Sequence, residues 1–212
     1  MNKRSLAILV AVIAVAAAAV SYYFTLGGRS EKIDLGPYSV LGAVMAEEAA
    51  KLIGNKGQVL VMVRDTGGNK NPSVDAELKA FQQTLKRQKG VSVLVEKVKI
   101  TPVQMMATGG AVPADQFLNT LETHPGLAAL VLFMGFPQLN DSQAEVLKKS
   151  GTKTVVACTL RPSDQQMIER EIINVAIVPR PDAPPPGGPA PRTLRERFDQ
   201  DYVILAAPAA GR

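Results

Sequence analysis

The sequence predicts an α/β domain of three layers, with a mostly parallel sheet between two layers of helices. Hydrophobic residues make up 46% of the 212-residue chain and aromatic residues only 5%, with no Trp. The apolar content is therefore mainly aliphatic, as expected of parallel strands that helices cover on both faces. Short apolar runs also alternate with amphipathic segments of helix length, which is typical of strands joined by right-handed crossovers.

The first predicted unit is a helix, a strand and a second helix. Apolar residues recur at three- and four-residue spacing over residues 37–53, which predicts a helix. The near-continuous apolar run at residues 58–63 is typical of a strand buried on both faces. A loop at residues 65–72 follows, and a helix over residues 74–85 is predicted to close at Gly90.

The middle of the chain repeats this alternation. Residues 91–100 alternate in polarity, which predicts a strand near the edge of the sheet. Residues 101–112 are predicted to form a loop, and Pro113 opens the next helix, which has His124 in its last turn. Residues 127–133 form a second fully apolar strand.

Two capping signals mark the helices of the last part. Ser142 with Glu145 predicts a capping box, and so does Ser163 with Gln166. The remaining strands are predicted at residues 154–159, 172–178 and 202–206. The resulting lobe spans residues 37–206, with a linker at 27–36, a proline-rich loop at 179–192 and a frayed tail at 207–212.

Residues 1–26 are predicted to be a transmembrane anchor or a signal peptide. Lys3 and Arg4 precede a long apolar stretch, which reaches the ~20 residues of a spanning helix. Residues 22–24 suit an interfacial aromatic belt, whereas residues 19–21 suit a cleavage site. The first alternative predicts a single-pass protein of a bacterial inner membrane with its domain in the periplasm, and the second predicts a secreted protein.

The composition argues against several kinds of chemistry. The net charge of +5 is dispersed among acidic residues, so we expect no nucleic-acid partner. Cys158 is the only cysteine and is predicted to lie buried in a strand, and His124 is the only histidine. A disulfide within the chain and a histidine-clustered metal site are therefore excluded. We expect no catalytic residues, no metal and no cofactor.

Ligands of open parallel sheets bind beyond the carboxyl ends of the strands. This rule selects Arg64, Asp65, Asn69, Gln138 and Arg161 as candidates for binding a small polar ligand. The loop that contains Asp65 and Asn69 lacks the glycine patterns of dinucleotide and phosphate sites. It has three interpretations, namely a plain turn, half of a site for a polar ligand, or a phosphate cradle.

Several stretches resemble the type I periplasmic binding proteins, the sugar-binding family that includes lac-repressor-type regulators. LGAVMAEEAAKLIG leading into KGQVLVMV resembles the start of the C-terminal lobe, and LNTLETHPGLAALVLF, SQAEVLKKSGTKTVVA and FDQDYVILAA resemble its later elements. The resemblance implies a single lobe of a fold that normally has two. Where the family usually has an Asn-Asp-like pair and an Asp after two strands, this chain has Met134-Gly135 and Thr159.

The carboxylates that would bind a sugar are therefore missing, and a lone lobe exposes the face that normally closes on a second lobe. The sequence favours a non-catalytic, membrane-anchored accessory subunit that acts through a protein partner or as a homodimer. The alternative is a protein that binds or senses a small, sugar-like ligand as a dimer. A flavodoxin-like enzyme is a further alternative.

Overall fold

The computed structural model describes residues 14–18, 20–21, 33–68, 70–183, 191 and 193–206. The chain divides into two units, residues 1–34 and residues 35–212. In the first unit, residues 14–18 and 20–21 are helical. Over the described ranges, no helix has both the length and the apolar character needed to cross a membrane. Most of the predicted anchor or signal segment, part of the proline-rich loop, and the tail lie outside the described residues, and the domain boundaries stay predictions.

The second unit contains a six-stranded sheet in the order β2-β1-β3-β4-β5-β6. The strands are β1 (Lys56–Arg64), β2 (Gly90–Val98), β3 (Ala129–Leu132), β4 (Lys153–Ala157), β5 (Val175–Pro179) and β6 (Tyr202–Ala206). The first five are parallel, and β6 pairs with β5 in the antiparallel direction. The predicted mostly parallel sheet and the edge position of β2 are confirmed.

Helices cover both faces of this sheet. They are α1 (Gly36–Leu52), α2 (Pro72–Leu85), α3 (Pro102–Thr108), α4 (Ala114–Thr123), α5 (Asp141–Ser150), α6 (Pro162–Glu169) and α7 (Leu194–Asp201). Buried residues of α1, α2 and α7 form one apolar cluster with the sheet, and those of α4, α5 and α6 form the other. The three-layer prediction is therefore confirmed.

Alternate residues of each central strand supply the two clusters. In β1, Val59 and Val61 pack with α1 and α2, whereas Leu60 and Met62 pack towards the opposite helices. All four side chains are at most 1% exposed. A strand buried on both faces has no polar face, which is why its sequence is continuously apolar.

The cap of α5 differs from the predicted Ser142–Glu145 pair. The backbone N–H of Gln143 donates to Asn140 Oδ1 at 3.0 Å, and the backbone N–H of Asn140 donates to Gln143 Oε1 at 3.0 Å. Ser142 instead donates its hydroxyl to Asn140 at 2.7 Å. The capping box is thus two residues earlier than predicted, because Asn140 offers the same acceptor chemistry as Ser.

The cap of α6 is also shifted. Its N-cap is Arg161, followed by Pro162 in the first helical position. Because proline suits that position, it fixes the start of the helix before the predicted Ser163–Gln166 pair. Asp164 fills the third position and accepts the Arg161 backbone N–H at 3.1 Å.

Two helices occur where none was predicted. The predicted loop at residues 101–112 contains α3, which has a Thr101–Gln104 capping box but no buried residue. In α7 only Phe198 is buried. Neither segment has the repeating apolar face that marks a helix in a sequence. Gly90 also differs from its prediction, because it begins β2, whereas α2 ends at Leu85.

Candidate functional site

A cleft of about 450 Å³ opens at the carboxyl ends of β1, β3, β4 and β5. Its size falls within the ~300–1,000 Å³ of small-molecule sites, and its position is where open α/β sheets bind ligands. The wall is mostly apolar and carries a few polar side chains. The lining residues are Leu41, Arg64, Gly109, Ala111, Phe133, Met134, Gly135, Ala157, Cys158, Thr159, Arg161, Ile177, Pro179 and Tyr202.

Arg64, the last residue of β1, lies against α3 and the turn that follows it. Its Nη2 donates to the Gly110 carbonyl oxygen at 3.3 Å, and its Nη1 approaches Met105 Sδ at 3.9 Å. Gly110 has a φ of +83°, and a side chain there would come within 3.1 Å of the Arg64 guanidinium. Glycine is therefore suited to this position for two reasons, because it adopts the left-handed backbone easily and leaves room for the arginine.

Arg161 reaches the cleft from the start of α6, and its charge is paired. Its Nε and Nη2 donate to the two carboxylate oxygens of Asp164 at 2.9 and 2.7 Å, and Nη2 also donates to the Phe136 carbonyl at 2.5 Å. Asp164 is only 1% exposed. The hydrogen bond to Asp164 raises the pKa of Arg161, which therefore keeps its positive charge. Arg161 therefore holds the loop after β3 to the start of α6.

Two other ionisable side chains of the wall are neutral at physiological pH. Burial, and then the charge of Asp164, raises the pKa of the Cys158 thiol to about 11. Burial, and then the charges of nearby groups led by Glu77, raise the pKa of Tyr202 to about 12. Cys158 lies just beyond β4 and is half-buried, although the sequence predicted it inside a strand. A thiol with so high a pKa is a poor nucleophile.

The remaining predicted site residues stand apart from the cleft or outside the described residues. Asp65 does not line the cleft, and its Oδ1 accepts the backbone N–H of Gly67 at 3.0 Å, as in a plain Asx turn. Gln138 is exposed and also does not line the cleft. Asn69 lies outside the described residues. The structure thus brings together Arg64 and Arg161, and the ligand-binding role of all five residues stays a prediction.

Several wall residues were not identified from the sequence. Thr159 is the second residue after the end of β4 and meets the rule that selected Arg161, so the signal for it was present. Leu41 and Tyr202 come from α1 and β6, and nothing local in the sequence indicates that they reach the cleft. Among the described residues, no group of three or more His, Cys, Asp or Glu side chains could hold a metal ion.

Comparisons with known proteins identify the fold. No family model matches the chain, and no curated protein matches its sequence. Among solved structures, XylFII is similar with a TM-score of 0.54 at 13% identity, over 81% of this chain and 61% of that protein. The glucose-galactose binding protein GanP from Geobacillus stearothermophilus has a TM-score of 0.52 at 13% identity, over 82% of this chain and 61% of GanP.

A third similar structure is an ABC transporter solute-binding protein from Burkholderia graminis in complex with D-arabinose. It has a TM-score of 0.52 at 15% identity, over 79% of this chain and 59% of that protein. The chain spans about three fifths of the length of each of these structures. At such low identity the similarity concerns the fold alone, and the assignment to the C-terminal lobe stays a prediction. The α/β domain is similar in fold to sugar-binding solute-binding proteins of the type I periplasmic binding protein class.

Proposed function

We propose that this chain is a non-catalytic binding protein for a small polar ligand, with the cleft as one wall of the ligand site. The observation that carries the proposal is the position of the cleft at the carboxyl ends of four neighbouring strands. Its mostly apolar wall with a few polar groups is the usual composition of a small-ligand site. The sugar-binding neighbours support this function better than the accessory role that the sequence favoured.

A single lobe offers an open cleft, so a second surface has to complete the site. In our proposal a second copy of the chain provides it, on the non-cytoplasmic side of a membrane as the N-terminal segment predicts. α3 ends next to Gly109, which lines the cleft, and its exposed apolar residues are suited to that contact. Val103 is 76% exposed and Met106 is 87% exposed.

The same helix supports a second candidate function, that of an accessory subunit docked on another protein. Single apolar side chains are common on protein surfaces, but two on one short helix beside a cleft are suited to an interface. This candidate predicts a stable hetero-complex that Met106→Lys disrupts.

Ligand binding is tested by thermal unfolding of the full chain with a library of sugars, sugar acids, amino acids and nucleosides. We expect at least one class to raise the melting temperature in a saturable manner. Thr159→Trp should abolish the effect, because Thr159 is exposed on the cleft wall and a bulky ring there fills the cleft without disturbing the core. Thr123→Trp, at the exposed end of α4, is the matched control and should keep it.

A flat response of the unmodified chain to the whole library would contradict the proposal. An equal response of the unmodified chain and the Thr159→Trp variant would place the ligand elsewhere.

A further inference from the structure

The described part of the cleft wall carries positive charges and no negative ones. Among the described lining residues, the charged side chains are Arg64 and Arg161, and there is no Asp or Glu. Neutral sugars are bound through carboxylates and amides that accept hydrogen bonds from their hydroxyls. A wall without such acceptors is poorly suited to a polyol and better suited to a ligand that itself carries acceptor oxygens.

Of the two arginines, Arg64 is the one that keeps an unbalanced positive charge. Arg161 already pairs with both oxygens of Asp164. Within the described part of the chain, the hydrogen-bond acceptors of Arg64 are neutral, namely the Gly110 carbonyl and the Met105 sulfur, and no ion pair there includes it. A guanidinium has five N–H donors, so donors remain for a ligand.

Arg64 is also held in place before any ligand binds. It stands at the end of a central strand and packs against a glycine that leaves room for its head group. A fixed guanidinium loses little freedom when it binds a planar carboxylate through two parallel hydrogen bonds. Most of the remaining wall is apolar and includes Leu41, Phe133 and Met134, which suits a ligand with a compact hydrocarbon body.

We propose that the ligand is a small organic acid, whose carboxylate Arg64 binds and whose apolar body packs on Leu41, Phe133 and Met134. This inference rests on the proposed ligand-binding function. A phosphate group suits the site less well, because phosphates usually need more than one unpaired cation or a glycine-rich loop at a helix start.

The test compares matched acids and amides on the full chain. Butyrate and benzoate are titrated against butyramide and benzamide at constant ionic strength, and D-arabinose and D-glucose represent neutral sugars. Binding is measured as saturable thermal stabilisation and, independently, by isothermal titration calorimetry.

We expect the acids to bind and their amides to bind at least tenfold more weakly. Arg64→Gln should weaken acid binding by about 10- to 100-fold, the usual effect of losing a charge-assisted hydrogen bond. Arg170→Gln is the control and should leave binding unchanged, because Arg170 pairs with Asp141 at 2.7 Å and does not line the cleft. If Arg64→Gln does not fold, the comparison of acids with amides on the unmodified chain still tests the organic-acid inference.

The outcomes separate the two proposals. Binding of sugars without acids, equal binding of acids and amides, or acid binding that survives Arg64→Gln overturns the organic-acid inference and leaves the ligand-binding function standing. If none of these probes binds, the organic-acid inference is overturned. The wider library described above then tests the ligand-binding function.

Discussion

The buried carboxyl of Glu77 makes a contribution to folding stability that falls as pH rises. Glu77 lies on α2 and is 9% exposed. Burial raises its pKa from 4.5 to about 7. We predict that Glu77→Gln stabilises the protein above neutral pH, because the amide keeps the shape of the side chain and has no charge to bury.

The size of the effect follows from the pKa. Each pKa unit corresponds to about 1.4 kcal/mol, so a rise from 4.5 to about 7 amounts to about 3 kcal/mol at most. Between these two pH values the folded state binds the proton that the unfolded state has released. The contribution of Glu77 to the free energy of unfolding is therefore largest below pH 4.5, falls as pH rises towards about 7, and is constant above that pH.

The assay is urea unfolding of the unmodified chain and the Glu77→Gln variant over a range from about pH 4 to 9. The difference in unfolding free energy should be small below pH 4.5 and grow to about 2–3 kcal/mol in favour of the variant above pH 7. Glu145→Gln is the control, because the Glu145 side chain is 52% exposed, and it should show no such growth. A difference that is the same at every pH would refute the reasoning.

Two further substitutions test the packing and the cleft wall. Gly42→Ala should destabilise the protein by about 1–2 kcal/mol in urea unfolding, although alanine normally stabilises a helix, because the new methyl would overlap the Glu77 carbonyl oxygen. Asp164→Asn should cost about 2–3 kcal/mol, because it leaves the charge of Arg161 without its partner.

Each of these two substitutions has a control variant, whose unfolding free energy is measured in the same way. Ser39→Ala, also in α1, should change the unfolding free energy by less than about 0.5 kcal/mol. Asp141→Asn breaks the ion pair with Arg170 at 2.7 Å, but the Asp141 side chain is 90% exposed, so it should cost less than about 1 kcal/mol. A stabilising Gly42→Ala, or equal costs of Asp164→Asn and Asp141→Asn, would contradict the structure.

The parts of the fold that the sequence predicts well are those with a strong local pattern. β1 and β3 can be recognised in the sequence because residues 59–63 of β1 and all four residues of β3 are buried and apolar. α3 and α7 cannot be recognised as helices in the sequence, because α3 buries no residue and α7 buries only Phe198. Their capping residues are the only local signal, and such residues are also common in turns.

The candidate site is predictable to a similar extent. Arg64 ends one strand and Arg161 lies in the loop after another, so both are selected by a general rule of parallel sheets. That rule says nothing about Leu41 or Tyr202, which reach the cleft because α1 and β6 pack against distant parts of the chain. Nor does the sequence show that Asp164 neutralises Arg161, because that pairing depends on where α6 begins.

The antiparallel strand β6 has a consequence for how the protein is synthesised. It covers β5 along five residue pairs, from Val175 with Ala206 to Pro179 with Tyr202. Until β6 has left the ribosome, the apolar strand β5 presents a bare row of backbone N–H and C=O groups, which is a template for pairing with another chain. A substitution that weakens β6 should therefore appear first as aggregation of newly made protein, before any loss of stability of the finished domain is measurable.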